Sequence, residues 1–207
     1  MPKRTRTLTP LAVTALALLE ERPMHPYEML QLLRLRGKES VLTIKPGSFY
    51  HTVARLAELG LADVHSTGRD GNRPERTLYA LTEMGHEAIV GWVRTHLAAP
   101  STPQEFAIAL AEAHNLPFDE AVGILQARLS RLRDEESRLR EVLRGARARD
   151  VPFAFHLEVD RRADLTSADA AWTASTLEHL TADAAAWPDI QPDPSAVGAN
   201  TSWEHTK

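Results

Sequence analysis

The sequence predicts a mainly α fold carrying one small antiparallel hairpin, and three observations predict it. Three stretches of helical apolar periodicity open the chain, and each begins with a residue followed by proline. The period then changes to that of short strands over residues 61–81, on either side of a turn rich in Gly, Asn and Pro. Last, Val122, Leu125, Leu129, Leu132, Glu136, Leu139 and Leu143 step by alternating threes and fours, which is a heptad seam with one polar interruption at Glu136.

The elements follow in order. Thr9-Pro10 supplies an N-cap and a proline at the first helical position, where its missing N–H would be unpaired anyway. Leu8 and Val13 can staple that start, and Leu11, Leu16, Leu18 and Leu19 carry the apolar stripe to about Glu21. His25-Pro26 opens the second helix, with Glu28 where a capping-box acid would stand, Met29, Leu30, Leu32 and Leu33 on its apolar face, and Gly37 at its end. Lys45-Pro46 opens the third, with Phe49, Val53 and Leu56 inward and Gly60 closing it. Leu61 to Thr67 and Glu75 to Leu81 read as strands joined by a basic-tipped turn, residues 68–74. Thr82 caps a fourth helix to about Leu97, on which Ile89, Trp92 and Val93 share a face.

Residues 98–104 contain two prolines and read as a linker, followed by a short helix to about His114. The heptad helix is expected over Phe118–Arg147. A last helix is expected from about Pro152 to Trp187, breaking near Asp164-Leu165-Thr166. The expected division is a first domain over 1–98, a helical dimerisation domain over 99–187 that can also hold an effector, and a disordered polar tail over 188–207.

Composition narrows the function. The chain of 207 residues has no cysteine, which excludes disulfides and thiolate metal sites and is compatible with the cytoplasm, the expected location. No stretch approaches the ~20 apolar residues of a membrane span, and no signal-peptide cleavage site is expected near the start. Residues 1–90 carry twelve Lys/Arg against ten Asp/Glu (+2), and residues 91–207 carry twelve against eighteen (−6). A mildly basic half joined to an acidic half suits a nucleic-acid-facing domain attached to something else. Enzymatic constellations are missing: there is no metalloprotease His pair, nucleophile elbow, phosphate loop or dinucleotide fingerprint. No enzyme activity and no cofactor or metal are expected.

Three helices followed by a two-stranded wing with basic residues is the layout of a winged helix-turn-helix. A helix fits the major groove of double-stranded DNA, so the third helix must keep apolar residues inward and short polar or basic ones outward. Ser48, His51, Thr52 and Arg55 can point out, and Lys45 stands at the helix start, where free N–H groups favour phosphate. Arg69, Arg73 and Arg76 on the hairpin would meet phosphates or the minor groove. Each position has a plainer reading. Ser48 serves equally as a helix-start residue, His51 as a solvated surface histidine, and Tyr27 as a packing residue with a satisfied hydroxyl rather than a DNA contact.

The sequence also resembles the PadR family of bacterial regulators. The matching stretches are His25-Pro26-Tyr27-Glu28-Met29-Leu30, Pro46-Gly47-Ser48-Phe49-Tyr50-His51, Leu56 with Glu58-Leu59-Gly60-Leu61, Arg73-Pro74-Glu75-Arg76 and Tyr79-Ala80-Leu81-Thr82-Glu83-Met84-Gly85. The resemblance runs in order from about Leu8 to Ile89. The later half is similar to the longer members, with several dimerisation helices. It implies a homodimeric repressor, often released from operator DNA by a small molecule, with Tyr50 against the DNA backbone.

The expected dimer contacts are Val122, Leu125, Leu129, Leu132, Leu139 and Leu143 on the heptad helix and Leu177 and Leu180 on the last, although such a stripe packs as readily within one chain. The arginines from Arg128 to Arg149, alternating with acids, read as a salt-bridged solvent face. Trp92 and Trp172 are candidates for a pocket holding a small apolar or aromatic effector where the two domains meet, and plain core is the rival reading. Two functional alternatives stand beside the ligand-released repressor: a regulator that binds DNA without any effector, and a winged helix that docks a protein.

Overall fold

The computed structural model describes residues 8–68, 76–183 and 187–188. Helix α1 (Pro10–Glu21) begins where the Thr9 hydroxyl accepts from the Ala12 amide at 3.2 Å. Helix α2 (Pro26–Leu35) is capped by the His25 ring, whose Nδ1 accepts from the Tyr27 amide at 3.1 Å. Glu28 does not complete a capping box there. It pairs with Arg22 in the turn before α2, a stronger partner than a backbone amide. The reciprocal capping box is found instead at α5, between Thr102 and Glu105.

Helix α3 (Pro46–Glu58) follows a short 3₁₀ turn at Lys38–Ser40 and ends at Gly60, whose φ of +72° is cheap only for glycine. Strands β1 (Ala62–Gly68) and β2 (Arg76–Leu81) pair antiparallel, Ala62 opposite Leu81 and Gly68 opposite Arg76, with an irregularity between Val64 and Ser66. Met24, between α1 and α2, exchanges two backbone hydrogen bonds with Tyr79 of β2 at 2.9 and 3.0 Å, which ties the wing to the helices.

Helix α4 (Glu83–Ala98) is capped by Thr82, which accepts from the Gly85 amide at 3.0 Å. Helix α5 (Pro103–Ala111) is short. Helices α6 (Phe118–Ala148) and α7 (Leu157–Ala182) form a long antiparallel hairpin across a 3₁₀ turn at Phe153–Phe155. The expected break in the last helix is absent: α7 runs unbroken through Asp164, Leu165 and Thr166. The stretch holds no Pro or Gly, and the adjacent Ala163 is fully buried against α6. The polar tail beyond Pro188 lies outside the described residues.

The main core joins α1 (Val13, Leu16), α3 (Phe49, Val53, Leu56) and α4 (Ile89, Val93, Leu97), and it does not stop at residue 98. Ile108 and Ala109 of α5, Leu116, and Ala121 at the start of α6 belong to it. A second, smaller core lies within the hairpin, where Leu139 and Leu143 pack on Ala163 with Val159 beside them.

One contact in this frame is tight enough to predict from. A Cβ added at Gly85 would lie 2.1 Å from the Leu61 carbonyl oxygen and 2.7 Å from Leu81 Cδ1. The start of α4 rests on the ends of both strands, and backbone cannot yield as a flexible side chain does. Gly85→Ala is expected to destabilise the fold by about 1–3 kcal/mol, read in urea unfolding. An unchanged midpoint would show that α4 shifts freely on the wing.

Candidate nucleic-acid interface

The outward face of α3 is built by subtraction. Phe49, Val53 and Leu56 are essentially fully buried, which holds the helix in one rotation on the core. That rotation leaves Lys45, Ser48, Tyr50 and His51 exposed and Arg55 half-exposed. Pro46 sits at the first helical position, and Lys45 makes no side-chain cap. The first-turn N–H groups therefore have no side-chain acceptor at the cap, the arrangement that receives a phosphate. Thr52 is committed locally: its hydroxyl donates to the Ser48 carbonyl at 2.9 Å.

The start of α2 joins this face. The His25 ring meets Tyr50 edge-on, with centroids 6.0 Å apart, and Tyr27 is 54% exposed. Because His25 Nδ1 accepts from the Tyr27 amide, the ring proton of neutral His25 sits on Nε2. Tyr27, Tyr50, Lys45, Ser48 and His51 thus line the starts of two helices. Arg55 is one step further along α3 and carries a partner: its Nη1 donates to Glu58 Oε2 at 2.6 Å. The i, i+3 spacing of that pair is the sequence signal that carries it. On the wing, Arg69 and Arg73 lie outside the described residues, as does the side chain of Arg76, whose backbone opens β2.

The two tryptophans have different surroundings. Trp92 is buried, donates from Nε1 to the Leu8 carbonyl at 2.9 Å, and stacks on His96 with centroids 3.9 Å apart. Trp172 is 44% exposed and meets the edge of Phe106, 6.2 Å away. Among the expected dimer residues, Leu125, Leu139, Leu143 and Leu177 are buried within the chain, while Val122, Leu129, Leu132 and Leu180 are half-buried.

A cavity of about 470 Å³ opens between α1, α2 and the end of α5. Its lining carries both signs of charge: Glu20, Glu21 and Glu112 face Arg36, Lys38 and His114. Glu21 is bound by Arg36 (Nη2 to Oε2, 2.8 Å), which holds its carboxyl below the ordinary range. Glu20 lies 2.6 Å from His86 Nδ1. Glu112 differs: burial pushes its carboxyl above the ordinary range, with His114 and Lys38 opposing in part. Among the described residues no helix is long and apolar enough to cross a membrane, and no cluster of metal-binding side chains is present.

Residues 15–90 match the model of the transcriptional regulator PadR-like family, a stretch that runs from within α1 to within α4 and includes α2, α3 and the wing. This part of the chain is similar to that family, which is one of transcriptional regulators. Among solved structures, Bacillus subtilis PadR in complex with operator DNA is similar at 19% identity, covering 82% of this chain and 98% of that one, with a TM-score of 0.40. The protein smu.1604c from Streptococcus mutans UA159 is similar at 18% identity, covering 86% and 99%, with a TM-score of 0.38. Bacillus subtilis PadR in complex with p-coumaric acid is similar at 18% identity, covering 84% and 99%, with a TM-score of 0.36. No curated protein matches the chain.

Two predictions arise from these sites. Arg55→Ala is expected to weaken specific DNA binding by roughly 1–3 kcal/mol, the worth of a bidentate contact to guanine. The measurement is a shift assay with a selected operator, and unchanged affinity in a folded variant removes Arg55 from the interface. The second concerns Glu112, whose folded value lies above its unfolded one. The contribution it makes in the protonated form is complete below the unfolded value and lost as pH rises through the folded one. Glu112→Gln removes that loss, so it should stabilise the fold more at pH 8 than at pH 5. Equal effects at the two pH values would contradict the assignment.

Proposed function

We propose that the chain is a homodimeric, cytoplasmic transcriptional repressor whose α3 enters the major groove of a two-fold operator and which a small molecule releases. The observation that carries the DNA reading is the rotation of α3: its three large apolar side chains are consumed by the core while Lys45, Ser48, Tyr50, His51 and Arg55 remain outward beside Tyr27. In this reading those six residues contact the operator, and Arg69, Arg73 and Arg76 meet the backbone beside it. Phosphate contacts set the register and Arg55 reads a base edge.

Dimerisation follows from what an operator requires. One winged helix covers a half-site, and two-fold protein symmetry matches two half-sites a helical turn apart. The division proposed is a winged helix over 1–98 and helices over 99–187 that join the copies. The α6–α7 hairpin is the part free to join them, because the apolar side chains of α1, α3 and α4 are already used in the main core. Because that core extends through α5, the hairpin is separable only beyond Ala121, and a cut after Ala98 would open the core. Repression then needs only occupancy of promoter DNA.

The ligand reading is supported by the cavity between α1, α2 and α5, whose volume is in the range of small-molecule sites. Its lining of both charges suits a ligand with polar groups. Such a ligand would release DNA by binding better to the free conformation than to the DNA-bound one.

The test is selection of bound DNA from a random pool, then shift assays over a salt series. Expected are a palindromic site, one dimer per site, and affinity falling steeply with salt as counterions are released. Affinity that barely changes with salt would favour a protein-docking winged helix instead. p-Coumaric acid is the first compound to try for release. If a broad panel of compounds leaves the complex intact, the effector-independent reading stands.

A further inference from the structure

The cavity between α1, α2 and the end of α5 is lined by six titratable side chains, and four of them are already engaged. Glu21 is bound by Arg36, and Glu20 lies 2.6 Å from His86 Nδ1. The His114 ring turns back on its own turn, with Nδ1 3.2 Å from the Ala111 carbonyl. Lys38 and Glu112 are different. Both are half-buried, and among the described residues neither side chain makes an ion pair or a hydrogen bond. The Lys38 ammonium acts on Glu112 through space without touching it. Two charges of opposite sign thus face one cavity with no partner in contact. A desolvated charge that lacks a partner is costly, so such a site gains from a ligand that supplies one.

We propose that the cavity takes a small amphipathic zwitterion, of which an apolar α-amino acid is the simplest form. Its ammonium goes to Glu112 and its carboxylate to Lys38. Its apolar side chain goes to the wall formed by Ala17, Leu18, Leu33 and Ala111. A volume of about 470 Å³ admits a side chain as large as that of leucine or phenylalanine. This assignment rests on the ligand reading of the cavity given above and names the class of ligand. An amine alone leaves Lys38 unpaired and sets a second cation beside it. A carboxylic acid alone leaves Glu112 unpaired and adds an anion to a wall that already holds Glu20 and Glu21. Each singly charged analogue is therefore rejected twice, by a missing partner and by a like charge.

The rival arrangement is a loose pair between Lys38 and Glu112 themselves. Substituting either would then alter stability and leave ligand selectivity unchanged. Protons separate the two arrangements as well. Burial holds the Glu112 carboxyl above the ordinary range in the free protein. A cation in contact favours the charged form, so a bound ammonium pulls that value down. Binding then releases protons where the free carboxyl is still partly protonated. The release should be larger at pH 5 than at pH 8 and absent in Glu112→Gln.

Calorimetry of the full chain with three matched probes is the test. L-phenylalanine, phenethylamine and hydrocinnamic acid share one ring and chain and differ in charge. L-phenylalanine should bind roughly tenfold tighter than either analogue. In Glu112→Gln its advantage over hydrocinnamic acid should vanish and its advantage over phenethylamine remain. Lys38→Met should do the reverse. Circular dichroism checks that both variants are folded, and L-leucine and L-alanine repeat the comparison at smaller size. Equal affinity for the three probes, or selectivity unchanged in either folded variant, overturns the zwitterion assignment. So does a series in which no amino acid binds. A shift assay with a selected operator, run on the same samples, keeps this assignment apart from ligand release. L-phenylalanine bound with the operator still held supports the assignment and removes release. Operator release by hydrocinnamic acid, unaffected by Glu112→Gln, keeps release and overturns the assignment.

Discussion

Helix α4 is the constraint on which the rest of the molecule depends. Ile89, Val93 and Leu97 are fully buried along it, and its neighbours are α1, α5 and α6. Its start is fixed by Gly85 against the Leu61 carbonyl, its middle by the Trp92 Nε1 hydrogen bond to the Leu8 carbonyl, and its end by the fully buried Leu97. A helix held at both ends and along one face has no soft direction, because packed interiors resist small displacements. The wing, α3 and the long hairpin are therefore placed relative to one another through a single rigid element.

The same packing gives the interface its chemistry. Once α3 is locked by Phe49, Val53 and Leu56, the outward set is decided, and the remaining freedom lies in the long side chains. Arg55 is the one with a competing partner. Its pair with Glu58 is solvent-exposed, and such pairs contribute little. The carboxylate still limits the rotamers of Arg55, which in the DNA reading proposed above would leave less conformational freedom to lose on docking.

The N-terminal half was legible in the sequence because its signals are local. Thr9-Pro10, His25-Pro26, Lys45-Pro46 and Thr82 each start the helix they were expected to start, and Gly60 ends one. Inward and outward residues of α3 follow from period alone. Partners distant in sequence were not legible. Glu28 stands at a capping position, and nothing local reveals that Arg22 takes it. The heptad from Val122 to Leu143 says that a helix lies alongside but not whose, and near the tip it is the chain's own α7. The continuity of α7 is not legible in the sequence because Asp164 and Thr166 are weak helix formers by propensity, and packing on α6 overrides propensity. The positions of Trp92 and Trp172 were identical in kind as sequence and opposite in fact, one hydrogen-bonded to Leu8 and buried, the other on the surface.

The junction after α4 determines how any signal can pass between hairpin and winged helix. His96 donates from Nδ1 to the Trp92 carbonyl at 2.8 Å, which turns its Nε2 toward Glu105, 3.8 Å away at the start of α5. Glu105 is engaged by the Thr102 amide and hydroxyl, and Gln104 beside it donates to the Val41 carbonyl at 2.7 Å, just before α3. Helix α5 is thus tied to α4 on one side and to the approach to α3 on the other, while its end lines the cavity. A ligand that moves the end of α5 must strain one of these ties. In the dimer proposed above, that strain would change the spacing of the two α3 helices as a body, and by linkage DNA that fixes that spacing would weaken the ligand by the same factor by which the ligand weakens DNA.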